Sequence, residues 1–378
     1  PEDGWVGGAD GIAATTDGGT TWTAQLATAE PVEQISFADA DHGWALTPDE
    51  LFATSDGGAH WSAEPETAMA SFSNVQLVSA GFGVAVICGQ PGGTRALVTY
   101  DAGRSWRLLP VPHPDELDCG TVPPSPGTMT GLCFGTAEAG WVVLRGRDQS
   151  SAVVEKTDDG GLHWSEVATV NTWPGQLACL GPFDLWLGLD WLENMAAVGA
   201  LAATTDGGRT WRVSVHAGPH SPYSVPSIKP SDGTSAGALG AAQSPSGILT
   251  QPVAALAAPA AGAADDLWED YGPGCASGFG VAFTANGGES WAGAQGTGIN
   301  PPHCGTSAMP YLSAVPEIAP SFSFPDAHYG FVLAPAAGTV AVPKGVTEPV
   351  TMALIGTADG GTNWHLLARF PWRRPGQS

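Results

Sequence analysis

Basic side chains are scarce in this chain. Its 378 residues include 13 Lys and Arg against 37 Asp and Glu, which gives a formal net charge of −24 at pH 7. Nucleic acids and anionic membrane surfaces bind basic patches, so we expect neither as a partner. A long hydrophobic run is also missing, because the most apolar stretch, Ile248 to Ala264, contains Gln251, Pro252 and Pro259. We therefore expect no transmembrane segment.

Helical patterns and cofactor motifs are missing as well. No apolar periodicity of a helix is sustained, whereas 52 Gly and 32 Pro are typical of short strands joined by turns. The sequence contains no P-loop, dinucleotide fingerprint or nucleophile elbow. It also lacks the alternating acidic ligands of a calcium loop. We expect an all-β protein that uses no cofactor and binds no metal.

An eight-residue pattern, Thr-x-Asp-x-Gly-x-x-Trp, recurs along the chain with one Asn in place of Asp. We call each copy a box. Its Asp accepts hydrogen bonds from nearby backbone N–H groups, as in an Asx turn. Its glycines suit the positive φ of a tight link between strands, and its Trp covers that link. We interpret the acidic position as structural in all copies, which are Asp17, Asp56, Asp101, Asp159, Asp206, Asn286 and Asp359.

A second signature precedes most boxes and defines a larger unit. It is a Gly-Trp pair or a relative of it, as in Gly43-Trp44 and Gly140-Trp141, with apolar runs before and after. Each unit therefore predicts four short strands, A to D, with the box in the C–D turn. Repeated four-stranded units predict a single-domain, seven-bladed antiparallel β-propeller over residues 1–378. The predicted blades are about 1–28, 29–68, 69–112, 128–170, 175–215, 252–297 and 315–372.

The boxes resemble the Asp-box, or BNR, repeat of sialidase-superfamily propellers. The segment from Phe37 to Trp44, followed by the box from Thr54 to Trp61, is most similar to the photosystem II assembly-factor-like propellers of bacteria. This resemblance covers nearly the whole chain and implies the propeller fold. It leaves the function open, because the repeat occurs in glycosidases, sorting receptors and assembly factors. The Arg-Ile-Pro motif of sialidases is absent before the first box.

Irregularities of the repeat predict where a ligand would bind. Three connections between blades are long, and the longest contains an Ala/Gly/Pro-rich insert, 216–251, on the face opposite the boxes. Trp173, in the connection into the fifth blade, and Trp191, in a loop of that blade, have no place in the repeat. We expect both on that face beside Asp190 and Glu193, as a site for a sugar or peptide. The alternative is that the two Trp only cover the underside of a loop.

The six cysteines indicate the compartment. Two pairs fall on neighbouring loops of single blades, and the remaining two lie near the A strands of successive blades. An even number with this placement predicts disulfides and a secreted, periplasmic or cell-surface protein. The alternative is six buried thiols in a cytosolic protein. The expected disulfides are Cys88–Cys119, Cys275–Cys304 and Cys133–Cys179.

Three functions remain open at this point. The first is a non-catalytic binding or assembly scaffold that presents its loop-rich face to a protein or carbohydrate. The second is a sialidase-like or xyloglucanase-like glycoside hydrolase that uses carboxylates on that face. The third is a structural domain of a larger surface protein. The first unit opens at its B strand with Trp5, so its A strand comes from upstream of Pro1 or the blade has three strands. The carboxylates that a hydrolase would draw on are Asp115, Asp118, Asp190, Glu193 and Asp270.

Overall fold

The computed structural model of the chain has an all-β architecture. Its described residues form 28 strands, all paired antiparallel, and these same residues include no helix. A membrane-spanning helix is accordingly not found in the described part of the chain. The described residues are 3–8, 11–64, 72–87, 95–112, 131–145, 151–179, 181–193, 196–215, 228–231, 253–257, 266–275, 278–285, 292–293, 321–323, 330–336, 350–358 and 363–372.

The described strands form seven sheets, which we call blades and number along the chain. Blade 1 has three described strands, blades 2 and 3 have four, and blade 4 has five. Blade 1 comprises β1 (Gly4–Gly8), β2 (Gly11–Thr15) and β3 (Thr23–Leu26). Blade 2 comprises β4 (Gln34–Phe37), β5 (Gly43–Leu46), β6 (Leu51–Thr54) and β7 (Ser62–Ala63). Blade 3 comprises β8 (Phe72–Leu77), β9 (Gly83–Ile87), β10 (Arg95–Thr99) and β11 (Arg107–Leu109). Blade 4 comprises β12 (Gly131–Phe134), β13 (Gly140–Arg145), β14 (Ala152–Thr157), β15 (Ser165–Val170) and β20 (Ile228–Pro230).

Blades 5 to 7 each have four described strands. Blade 5 comprises β16 (Trp173–Cys179), β17 (Leu185–Glu193), β18 (Ala196–Thr204) and β19 (Arg212–Val215). Blade 6 comprises β21 (Val253–Ala257), β22 (Asp266–Cys275), β23 (Gly278–Ala285) and β24 (Ala292–Gly293). Blade 7 comprises β25 (Ser321–Ser323), β26 (Gly330–Pro335), β27 (Val350–Thr357) and β28 (His365–Trp372).

The predicted insert contributes a strand to a blade that precedes it. β20 lies within residues 216–251 and pairs antiparallel with β15, so that Ile228 faces Val170. A backbone hydrogen bond from Ser231 N to Val167 O continues this pairing. The insert therefore covers the outer edge of blade 4 with a fifth strand, which leaves that edge less open to pairing with another chain. The blade boundaries given above stay predictions.

The second strand of a blade carries much of its apolar core. All four residues of β5 and all five of β9 are buried, and Trp44 and Trp141 are completely enclosed. The first strand lies beside it and, in blades 2 and 4, places an aromatic ring over its leading glycine. A Cβ built on Gly43 would lie 2.4 Å from the ring of Phe37. Only glycine leaves room for this ring, which explains the Gly-Trp signature.

First strands of neighbouring blades contact one another, as between β4 and β8 or β12 and β16. We call them inner strands. The side chain of Ser36 in blade 2 accepts a 3.0 Å hydrogen bond from Leu77 N in blade 3. Gln76 makes a two-bond clamp on blade 4, because its Nε2 donates to Phe134 O and its Oε1 accepts from Phe134 N, both at 3.0 Å. Inner strands are thus tied by side chains that satisfy buried backbone groups.

Blades also touch near their outer edges through a repeated contact. In blades 1, 3 and 4, the third residue after the box Trp packs against the second box glycine of the following blade. A Cβ on Gly161 would lie 2.3 Å from Leu109, and one on Gly208 would lie 2.8 Å from Val167. Both glycines have positive φ, 87° and 88°. The box therefore combines a turn that favours glycine with a close approach that requires it.

The same contact joins the last blade to the first. A Cβ built on Gly19, in the first box, would lie 2.9 Å from the side chain of Leu367 in β28. Phe370 meets the ring of Trp22 edge-on, with 5.9 Å between ring centres. Side-chain packing therefore closes the ring without a strand shared between blades 7 and 1 among the described residues. The predicted fold class, an all-β propeller, is confirmed.

Candidate functional site

The four predicted ligand-binding residues lie together on the backbone of blade 5. Trp173 is the first residue of β16 and faces Asp190 of β17 in the register, and Trp191 is the next residue of β17. Glu193 ends β17, opposite Ala196 at the start of β18. Both Trp thus lie in strands, whereas their position outside the repeat predicted loops. The strands continue because every residue of β17 from Leu185 to Glu193 keeps its backbone pairing with β18.

The hairpin of β17 and β18 is one of two long hairpins that a second and a third strand form among the described residues, the other being β22 and β23 of blade 6, which have ten and eight residues. The strands β17 and β18 have nine residues each, against four in β5 and β6 of blade 2. At about 3.4 Å per residue, five further residues extend the hairpin by roughly 17 Å. Leu185 pairs with Thr204 at the box, so the additional length lies at the other end. We call the two ends of the propeller the box end and the box-free end.

The box end is built around carboxylates that the turns occupy. In the first box, Asp17 Oδ1 accepts hydrogen bonds from Thr15 Oγ1 and Thr21 N, both at 2.8 Å. Asp17 Oδ2 accepts a 2.6 Å bond from Thr21 Oγ1. Thr15 Oγ1 in turn accepts from Gly19 N at 2.9 Å. The same arrangement holds the carboxylates at the other described box positions, which are Asp56, Asp101, Asp159 and Asp206. Asn286 and Asp359 lie outside the described residues.

These hydrogen bonds lower the pKa values of the described box carboxyls. The pKa of Asp17 falls to about 2, chiefly because the Thr21 hydroxyl and amide donate to the carboxylate. The pKa of Asp101 falls to about 2 for the same reason, with Ser105 as the donor. His163 takes the donor position in the fourth box, with its Nδ1 2.6 Å from Asp159 Oδ2. The box carboxylates are therefore ionised at neutral pH and poorly suited to donate a proton in catalysis.

Glu64 is a buried carboxylate that the sequence analysis did not single out. It is the third residue after the box residue Trp61, and in blades 1, 3 and 4 the residue at this position contacts a box glycine of the following blade. Only 7% of Glu64 is exposed, and burial raises the pKa of its carboxyl, while the charge of Arg104 in the next box opposes this shift. Its position in the repeat was the sequence feature that could have indicated its burial. Leu109, Val167 and Leu367 stand at the equivalent position.

Lys156 is a buried cation that was also missed. It is 6% exposed and pairs with the carboxylate of Asp158. Its Nζ lies 5.6 Å from the centre of the Trp141 ring and 5.7 Å from that of Phe183 in blade 5. The ammonium group therefore joins blades 4 and 5 by cation–π contacts. The signal was its position directly before a box Thr, where the other units have Ala, Val, Phe or Gly.

The disulfide of the structure joins two inner strands. Cys133 of β12 is bonded to Cys179 of β16, with 6.2 Å between the Cα atoms. The partners predicted as Cys88–Cys119 and Cys275–Cys304 lie outside the residues whose side chains are described. Asp115 and Asp118 also lie outside, and Asp270 is placed in β22. Within the described residues, no group of three His, Cys, Asp or Glu side chains converges on a metal-sized site.

Comparisons with known proteins bear on the fold. The model of one family, described as photosynthesis system II assembly factor YCF48, matches residues 23–115. A solved structure from Lactobacillus plantarum has 13% identity and a TM-score of 0.51, with 98% of this chain and 96% of that chain covered. The structure of YCF48 bound to D1 peptide has 16% identity, a TM-score of 0.44, and coverage of 91% and 82%. The GH74 enzyme of Niastella koreensis has 12% identity, a TM-score of 0.38, and coverage of 97% and 67%.

The matched segment covers blades 2 and 3. Residues 23–115 include β3 and every described strand of blades 2 and 3, with the boxes of Asp56 and Asp101. No curated protein matches the chain in sequence. The repeat, the box geometry and the family match agree with one another. The chain is therefore a BNR-like β-propeller that resembles the photosystem II assembly factors.

Proposed function

We propose that this propeller is a non-catalytic binding or assembly scaffold that holds a partner protein at its box-free end. The observation that carries the proposal is the long hairpin of β17 and β18, which adds roughly 17 Å of strand beyond the length used in blade 2. Its additional length includes Asp190, Trp191 and Glu193. An aromatic residue beside two carboxylates offers a ligand both apolar contact and hydrogen-bond acceptors.

The carboxylates at the box end do not suit glycoside hydrolysis, so a hydrolase would have to use carboxylates at the box-free end. A glycoside hydrolase requires one carboxyl that stays protonated and a second carboxylate at a set distance from it. The described box carboxylates are instead held ionised by turn hydrogen bonds, with the pKa of Asp56 and Asp159 lowered to about 2. The family model that matches blades 2 and 3 is that of an assembly factor. We propose a protein segment as the ligand class on this ground.

We further propose that the protein works outside the cytoplasm. The disulfide between Cys133 and Cys179 supports this location, since such bonds persist in oxidising compartments and are rare where thiols are kept reduced. The bond also ties blade 4 to the blade that carries the long hairpin. A scaffold needs its binding elements held in fixed relation, because ordering them on binding would lower the affinity.

The experiment is a parallel binding screen of the purified chain on a peptide array and a glycan array. We expect peptide hits that Trp191→Ala abolishes and that a matched control, Leu162→Ala, leaves unchanged. Leu162 is 66% exposed in the fourth box, at the other end of the propeller. If Trp191→Ala retains every peptide hit of the unaltered protein, the proposed site is refuted. Glycan hits accompanied by released product would establish the hydrolase instead and overturn the scaffold.

A further inference from the structure

The described residues expose four large hydrophobic side chains, and three of them lie at the box end around a single turn. They are Tyr100 in the box of blade 3, Leu162 in the box of blade 4, and Phe183 between β16 and β17 of blade 5, exposed by 55%, 66% and 51%. Phe183 belongs to the box end because its carbonyl oxygen accepts a 2.9 Å hydrogen bond from Gly207 N in the fifth box. Together they expose roughly 300 Å² of largely apolar surface, a size at which a patch on a monomer is often functional.

Tyr100 and Phe183 approach the fourth box from opposite sides. The Tyr100 Oη lies 3.3 Å from a Cβ built on Gly160, the first glycine of that box. The ring of Phe183 lies beside Lys156, which directly precedes the box, with 5.7 Å between the ring centre and Nζ. Leu162 follows Gly160 by two residues in the same turn. The three side chains therefore form one surface across blades 3, 4 and 5, which we call the apolar patch, and its turns in blades 3 and 4 are described throughout.

The equivalent positions in the other described boxes carry small, polar or charged residues. The second box position, that of Tyr100, is occupied elsewhere by Thr16, Ser55, Asp158 and Thr205. The sixth position, that of Leu162, is occupied elsewhere by Thr20, Ala59, Arg104 and Arg209. The carbonyl that accepts from the box, which is that of Phe183 in blade 5, belongs in blades 2, 3 and 4 to Asp41, Gly81 and Glu138. The repeat requires no large apolar side chain at these positions, so the apolar patch is not a consequence of the fold.

Negative charge is balanced within the two neighbouring boxes. Arg104 shares the third box with Asp101, and Arg209 shares the fifth box with Asp206. The fourth box has Leu162 at the position of these arginines, although it carries two carboxylates rather than one. A lysine or arginine from another molecule can therefore supply the positive charge that this box lacks.

The two carboxylates of the fourth box are within reach of such a cation. Asp158 pairs with Lys156, which is 6% exposed, but 74% of the Asp158 side chain is open to solvent. Asp159 contacts Thr157 Oγ1 at 2.9 Å and His163 Nδ1 at 2.6 Å, and 40% of its side chain is exposed. Each carboxylate has about four lone-pair sites, so both retain acceptor capacity for a further donor. The formal charge of −24 would also steer a basic segment towards the protein.

We propose that the apolar patch and the fourth box together bind a basic segment of a partner protein, in which lysine or arginine adjoins leucine or an aromatic residue. Apolar side chains of the segment pack on Tyr100, Leu162 and Phe183, while its cation pairs with Asp158 or Asp159. The long hairpin of the proposed function lies at the other end of the propeller, so this second surface goes beyond that function. Leu162→Ala removes part of the apolar patch and leaves the hairpin intact, so it remains a control for ligands of the hairpin.

The probe is the labelled peptide Lys-Leu-Lys-Phe-Lys-Leu-Lys, measured by fluorescence anisotropy with the full chain at physiological salt. Two matched peptides separate charge from apolar contact: one has alanine for leucine and phenylalanine, and the other has glutamine for lysine. The first peptide should bind saturably, and each matched peptide should bind at least about tenfold more weakly. Equal binding of the two lysine peptides would show attraction by net charge alone and overturn the proposal. Absence of saturable binding by the first peptide would overturn it too.

Hydroxyl-radical footprinting of the unaltered protein locates the bound peptide without depending on the folding of a variant. Tyr100 and Phe183 should become protected from oxidation, whereas Leu108, which is 64% exposed in β11, should not. Tyr100→Ser should weaken binding at least about threefold, and serine suits this position because Ser55 occupies it in blade 2. Leu108→Ala is the matched control and should bind the peptide as the unaltered protein does. Protection of neither ring would overturn the proposal, and protection by cellohexaose but not by the peptide would establish a sugar site in its place.

Discussion

Replacing Gln76 by alanine tests how strongly the inner strands hold the ring together. The Gln76 amide connects blades 3 and 4 by two hydrogen bonds to the backbone of Phe134, each 3.0 Å long. Phe134 is 1% exposed, so water does not readily replace the lost partner. Gln34 makes the same pair of bonds to Val75, which is also 1% exposed, and connects blades 2 and 3.

The magnitude follows from the two backbone groups that lose their partner. An unsatisfied buried donor or acceptor costs about 1–3 kcal/mol, so Gln76→Ala should lower the free energy of unfolding by about 2–6 kcal/mol. Gln25→Ala is a graded control. Gln25 reaches the next blade by a single 3.0 Å bond to Gly57 O and is half-buried. Its loss should cost only about 0.5–1.5 kcal/mol.

Urea unfolding followed by tryptophan fluorescence measures both variants, and hydrogen exchange at the Phe134 amide localises the effect. Gln76→Glu adds a pH-dependent arm. Its carboxylate would face Phe134 O without a proton to donate, whereas the protonated acid restores the donor. Stability of this variant should therefore recover as pH falls. The clamp would be refuted if Gln76→Ala lowered the free energy of unfolding no more than Gln25→Ala does and left hydrogen exchange at the Phe134 amide unchanged.

Three further predictions concern the disulfide and the carboxylates. Removing the bond between Cys133 and Cys179, which are 46 residues apart, should lower the free energy of unfolding by about 4 kcal/mol, measured by urea unfolding of the double variant Cys133→Ala and Cys179→Ala without reductant. Burial raises the pKa of Glu64, so its contribution to stability is lost as pH rises above the ordinary value of 4.5. As pH rises from 4 to 8, the melting temperature should fall less for Glu64→Gln than for the unaltered protein. Hydrogen bonds lower the pKa of Asp101 to about 2, so its contribution is present above pH 3.8 and lost as pH falls towards 2. Acid titration of Asp101→Asn should show a smaller loss in that window.

The sequence predicted the fold because every level of the repeat agrees. The glycines of the box, its Trp and the preceding Gly-Trp pair each have a local reason, and all of them indicate a four-stranded unit. What a single unit does not contain is its contact with the next one. The packing of Leu367 on Gly19 joins residues from opposite ends of the chain, so the closure of the ring became visible only in the structure.

The candidate site was less predictable from the sequence. Trp173 and Trp191 were expected in loops because they fall outside the repeat, and the extension of β16 and β17 beyond the usual strand length placed them in a sheet. Lys156 and Glu64 were missed because each is a single charged residue at a position where other units have different residue types. Their burial depends on the neighbouring blade, and a strand pattern does not report such contacts.

Neighbouring blades are joined in two layers, and the seam between blades 7 and 1 has only one of them among the described residues. Inner strands are tied by Gln76 between blades 3 and 4 and by the disulfide between blades 4 and 5. Box glycines receive the preceding blade along the outer layer, including Leu367 on Gly19 at the seam. Blade 1 has no described inner strand with which to form the other layer. At the seam, the packing of Leu367 on Gly19 and of Phe370 on Trp22 is therefore what joins blade 7 to blade 1 among the described residues.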